Sequence, residues 1–151
     1  MIKKETCNIS TRLARWAEEK PKTLALLEIA SKKQKTFKEL EHETSLLASG
    51  LIQSGMKSGN RVLLMVPYGI DFVMLTFAMF KAGLVPVLID PGQGRKNTLD
   101  CIQQIQPDGM IAIPLAHAAR KIFPGPFKSI KHYVSTGWFL GCRTLRQVIG
   151  S

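Results

Sequence analysis

Apolar residues in the middle of the chain come in short unbroken runs, not in alternation. Arg61–Val66 reads RVLLMV, Val85–Ile89 reads VPVLI and Gly109–Ile113 reads GMIAI, and Lys131–Ser135 is read as a fourth strand. Strands without polar alternation are buried on both faces, the condition of a parallel sheet covered by helices. The intervening segments supply those helices. Pro67-Tyr68-Gly69 turns into Ile70–Ala82, Arg95–Gln106 is closed by Pro107, and Leu115–Ile122 is a short third helix. Strand and helix alternate with a repeat of about 25 residues, which predicts right-handed crossovers and a doubly wound α/β layer. Pro86 falls inside a strand, so that strand either bulges or lies at a sheet edge. The expected fold class is therefore α/β, a largely parallel, doubly wound sheet with helices on both faces.

The chain before residue 61 is organised differently. Ser10 is an expected N-cap for a helix over Thr11–Lys20 that Pro21 ends, with Leu13, Ala14, Trp16 and Ala17 on its inner face. Thr23–Ile29 reads as a strand, and the polar run 30–34 turns it into a return strand at Lys35–Phe37. A longer helix over Lys38–Ser54 carries Leu40, Leu47, Ala48 and Leu51 on one stripe and stops at Gly55. The last stretch, Gly137–Ser151, holds an apolar Trp138-Phe-Leu140 and then one helical turn from Thr144. No linker or internal repeat divides the chain, and 151 residues with 45% hydrophobic content suit one domain with a real core.

Charge changes the picture only slightly. The 21 basic and 11 acidic residues leave a net charge of +10, which raises the question of a nucleic acid or an anionic membrane. The excess is spread thinly, with no block of like charge and no aromatic interleaving for base stacking, so no nucleic-acid partner is expected. After Asp108 there is no acid at all. The basic face is read as solvated, or as one that meets acidic or phosphorylated partners. Cys7, Cys101 and Cys142 form no CxxC pair and lie far from His42, His117 and His132, which excludes a zinc site or disulfide framework by spacing. Reduced thiols and a cytoplasmic location are expected. The N-terminus has no apolar run behind its lysines, so no signal peptide is expected. Phe72–Phe80 is too short for the roughly 20 apolar residues of a transmembrane segment and reads as a buried helix.

Little in the sequence carries chemistry of its own. Asp90-Pro-Gly-Gln-Gly-Arg-Lys-Asn97 joins a strand to a helix, where free backbone amides favour an anion. Gly92, Gly94, Arg95 and Lys96 are the candidate anion-site residues. The third glycine of GxGxxG is replaced by Asn97, and no Walker loop occurs, so a structural turn is the competing reading. No catalytic residue is identified. His117 is read as a surface or hydrogen-bonded histidine, Asp90 and Asp71 as capping residues, and Met65, Met74 and Met79 as core filler. No GxSxG elbow is present.

A series of motifs, taken in order, resembles a known family. Lys35-Thr-Phe-Lys-Glu-Leu40, Leu47-Ala-Ser-Gly-Leu51, Gly55-Met-Lys-Ser-Gly-Asn-Arg-Val62, Leu64-Met-Val-Pro67, Phe77-Ala-Met-Phe-Lys-Ala-Gly83 and Val85-Pro-Val-Leu-Ile-Asp-Pro91 are similar to the N-terminal part of the adenylate-forming (AMP-binding, acyl-CoA synthetase-like) enzymes. Leu88-Ile-Asp-Pro-Gly-Gln-Gly94 and Ile113-Pro-Leu-Ala-His-Ala-Ala-Arg120 resemble most the fatty-acyl ligase branch that includes the β-lactone synthetases of olefin biosynthesis. Asn60 stands where the family's GDRV turn has aspartate, and it still tolerates the left-handed turn.

The resemblance implies an incomplete N-terminal subdomain over residues 1–151. Family members join a carboxylate to the α-phosphate of ATP, with Mg²⁺, through a Ser/Thr/Gly-rich phosphate loop and a lysine on a small C-terminal domain. Neither motif is found in this chain. The expectation is thus an N-terminal fragment of an ATP-dependent ligase acting on a fatty or 3-hydroxy fatty acid, inactive alone, whose partner is a complementing C-terminal portion. ATP and Mg²⁺ belong to the complete enzyme. The alternative is a stand-alone α/β module that binds an anion or a partner without catalysis.

Overall fold

The structure, a computed structural model, describes residues 8–150. Cys7 lies outside them. The first helix, α1 (Ile9–Glu19), begins two residues earlier than its pattern predicts. Its cap is Asn8, whose side chain accepts from the Ser10 amide, so Ser10 is not the cap but a buried first-turn residue. Leu13 faces the core, while Trp16 is 43% exposed and leans on Phe37. Strands β1 (Leu24–Glu28) and β2 (Lys33–Thr36) form a separate antiparallel hairpin.

Helix α2 (Phe37–Gln53) is started by a full capping box. The Thr36 hydroxyl accepts from the Glu39 amide, and the Glu39 carboxylate accepts from the Thr36 amide at 2.8 Å. Its predicted stripe is buried throughout: Leu40, Leu47, Ala48 and Leu51. It ends where Gly55 adopts a left-handed φ of 98°.

The main sheet has five strands, all parallel: β3 (Arg61–Met65), β4 (Val85–Val87), β5 (Gly109–Ala112), β6 (His132–Ser135) and β7 (Arg143–Thr144). Their order is β4-β3-β5-β6-β7, which puts Pro86 on an edge strand, where its missing N–H costs least. The fifth strand, β7, is too short for any sequence pattern to announce. Helix α3 (Ile70–Lys81) follows β3, α4 (Arg95–Ile105) follows β4, α5 (Pro114–Ile122) follows β5, and α6 (Leu145–Ile149) closes the described chain.

Helices cover both faces and define two cores. On one side α1, α2, α3 and α6 bury Leu47, Leu51, Leu75, Met79, Ile111, Val134 and Val148. On the other, α4 and α5 cover Leu63, Ile102, Met110 and Phe127. Met74 and Met79 are buried, and Met65 is half-buried at the end of β3. Helix α2 crosses α6 at Gly50, where an added Cβ would lie 1.8 Å from the Val148 carbonyl oxygen, so only glycine fits. Between α2 and α3, Lys81 bridges the Glu41 carboxylate at 2.6 Å and donates to Ser45 Oγ at 2.8 Å. Among the described residues no helix is long and apolar enough to cross a membrane.

Candidate functional site

From β3 the chain moves outward to β4, then returns to place β5 on the opposite side of β3. In open α/β sheets such a switch in direction leaves a crevice beyond the carboxyl ends of the strands, the usual place for a ligand. A cleft of about 410 Å³ opens there. Leu64, Met65 and Val66 come from the end of β3, Leu88 and Ile89 from beyond β4, and Ile113 from the end of β5. Pro67, Tyr68, Phe72 and Ala116 complete the wall.

The chemistry of this wall is apolar. Its one polar side chain is Tyr68, which is 83% exposed at the rim. A phosphate here would lose its hydration and gain no cationic partner, which opposes it, whereas a hydrocarbon or an apolar protein surface would be favoured. The entry to α3 beside the cleft is held from a distance. Asp71 lies in the first turn of α3 but makes no side-chain cap there. The Ile70 amide instead donates to Glu28, at 3.3 Å, from the hairpin. The Ser31 hydroxyl and then the Ile70 amide hold the Glu28 carboxyl below its ordinary range.

The candidate anion residues sit elsewhere on the rim. Gly92 and Gly94 form the turn before α4, and Gly94 has a left-handed φ of 84°. The Gly92 amide donates to Asp90 Oδ1 at 2.8 Å, so the turn carries its own carboxylate. This is the capping role expected of Asp90. The Arg95 guanidinium stacks over Phe123 at 5.3 Å, and Lys96 is exposed. None of the four lines the apolar cleft. Arg95 borders a neighbouring cavity of about 250 Å³ between α4 and α5.

His117 is fully buried, not on the surface. Its Nε2 lies 2.9 Å from the Val134 carbonyl, and its Nδ1 has no partner. Burial first, and the nearby Arg120 charge second, lower its pKa, while the bond to Val134 opposes them. The ring packs against Phe139 at 5.5 Å and Tyr133 at 6.2 Å, which makes it part of the packing beneath the 136–142 loop. On either side of Phe139, Trp138 and Leu140 are 80% and 69% exposed, a small apolar flank. Cys101 and Cys142 are free thiols, and no cluster of three or more His, Cys, Asp or Glu that could hold a metal occurs among the described residues. The residues present therefore do not assemble a place for Mg²⁺ or a triphosphate, and no step through either is derived from them.

With this geometry in hand, comparison with known proteins defines the class. Residues 13–140 match the AMP-binding enzyme family, and the chain belongs to it. The olefin β-lactone synthetase of Stenotrophomonas maltophilia is 36% identical over 126 residues, covering 77% of this chain and 23% of that enzyme. Two solved structures share the fold. An anthranilate CoA ligase in complex with anthranoyl-AMP superposes with a TM-score of 0.82 at 18% identity, over 95% of this chain and 28% of that one. A long-chain-fatty-acid-CoA ligase from Archaeoglobus fulgidus gives 0.82 at 21% identity, over 95% and 30%. The chain thus spans about a quarter of the length of these relatives.

The pieces that sequence reasoning missed are those built from distant residues. Glu28 caps a helix 42 positions away, and Leu88 meets Ile113 only because β3 lies between their strands. No local signal marks either.

Proposed function

We propose that this chain is the N-terminal portion of an ATP-dependent acid ligase that activates a fatty or 3-hydroxy fatty acid as its acyl-adenylate. ATP and Mg²⁺ act in the complete enzyme, where a complementing C-terminal portion supplies the phosphate loop and the mobile lysine. The carrying observation is the apolar cleft at the switch point of a sheet that matches this family over most of its length. The cleft provides a greasy wall suited to an alkyl chain or to the apolar side of the complementing portion, and no charged side chain lines it. The 36% identity with an olefin β-lactone synthetase supports the β-lactone-forming branch of this reading.

Catalysis then needs both portions. This chain alone is expected to release no pyrophosphate from ATP with fatty or 3-hydroxy fatty acids. Mixed or co-expressed with a polypeptide carrying the rest of the ligase, it is expected to restore that release. Pyrophosphate release by this chain by itself, dependent on the acid, would refute the proposal.

A further inference from the structure

At the opposite, amino-terminal edge of the sheet the strands open on charged residues. Arg61 begins β3, Asp108 precedes β5, Lys131 and His132 open β6, and Arg143 begins β7. Parallel pairing sets His132 opposite Gly109 at the start of β5, and sets Arg143 opposite Val134, two residues into β6. A polar cavity of about 200 Å³ lies there, lined by Ser54, Lys131, His132, Tyr133, Gly141 and Arg143. From these observations we propose that this cavity binds a small phosphate-type oxyanion.

Two cations, Lys131 and Arg143, and the His132 imidazole line the cavity, and no carboxylate does. The one acid at this edge, Asp108, has its Oδ2 on the Arg61 amide at 2.8 Å, on the β3 side. Cations bordering a concave surface raise the local potential for an anion, and an arginine offers a fork that matches phosphate oxygens. The ring of His132 is held in place by packing on Gly55, where an added Cβ would lie 2.8 Å from its Cε1. Gly141, at φ 82°, leaves the far wall open, with nothing within 4 Å of an added Cβ. A cavity of this size is below the roughly 300 Å³ of pockets that hold drug-sized molecules, which selects an oxyanion over a nucleotide.

This inference rests on the lining residues alone and stands or falls separately from the ligase reading. The full chain is titrated with inorganic phosphate, and with acetate and chloride at matched ionic strength. Binding is read by thermal shift and by the His132 imidazole resonance, assigned with His132→Gln. Phosphate is expected to give saturable stabilisation and to move that resonance, while acetate and chloride do neither. Arg143→Gln and Lys131→Gln, both on exposed side chains, are each expected to weaken binding about tenfold. The double variant Arg95→Gln/Lys96→Gln is expected to bind as the parent does. Three results would overturn the proposal: equal responses to phosphate, acetate and chloride, undiminished binding by Arg143→Gln and Lys131→Gln, or loss of binding with the Arg95/Lys96 pair.

Discussion

Gly50→Ala sets two effects of known sign against each other. In the interior of an isolated helix, alanine is favoured over glycine by about 1 kcal/mol, so a loosely attached α6 would leave the variant more stable than the parent. The fold demands the reverse. A Cβ at position 50 would lie 1.8 Å from the Val148 carbonyl oxygen and 2.5 Å from both its carbonyl carbon and Cγ1. Ordinary contacts are about 3.5–4 Å, so α6 must retreat by roughly 2 Å. The first contact is with backbone, which cannot rotate aside. Retreat would uncover Val148, now 1% exposed, and loosen the half-buried Leu145 from the same core. Full exposure of one such side chain costs about 1.5–3 kcal/mol. With about half as much again for the half-buried Leu145, and the propensity gain of about 1 kcal/mol subtracted, a net loss of about 1–3 kcal/mol is expected. Urea unfolding measures it directly, and hydrogen exchange should localise the early opening to residues 143–150. A Gly50→Ala protein as stable as the parent, with those amides still protected, would refute the close crossing of α2 and α6.

Other expectations follow from single contacts. Because His117 has a lowered pKa in the folded chain, the unfolded state binds more protons once pH falls below about 6.5. Stability should therefore fall with acidification through that range, by at most about 1.4 kcal/mol per pH unit, until the buried ring itself titrates. His117→Leu should flatten this part of the curve in denaturant titrations between pH 5 and 7, and an unchanged slope would count against the burial of a neutral ring. Lys81→Met removes the partner of the half-buried Glu41 carboxylate and should cost about 1–3 kcal/mol, between an exposed and a fully buried pair. Adding Glu41→Gln should recover part of that loss in a double-mutant cycle. Thr36→Ala deletes the side-chain half of the α2 cap and should cost about 1 kcal/mol by thermal unfolding.

Local order along the chain was legible because local forces produce it. Continuous apolar runs announced β3 and β5, glycine and proline marked the turns, and spacing alone picked out Leu40, Leu47, Ala48 and Leu51 as the buried stripe of α2. Pro86 even constrained the sheet, since a residue with no N–H belongs on an edge. The ordered motifs between Lys35 and Pro91 carried the family as well, because they are contiguous pieces that need no partner to be read.

Only the tertiary structure decided what those elements enclose. Strand order is a choice among arrangements of nearly equal local energy, and it alone created the switch between β4 and β5 that opens the apolar cleft. The same applies to Glu28 capping α3 across the hairpin, to His117 buried against Val134, and to the cations gathered at the amino-terminal edge. Each depends on residues far apart in sequence, brought together by packing whose free energy belongs to the whole sheet and to no single segment.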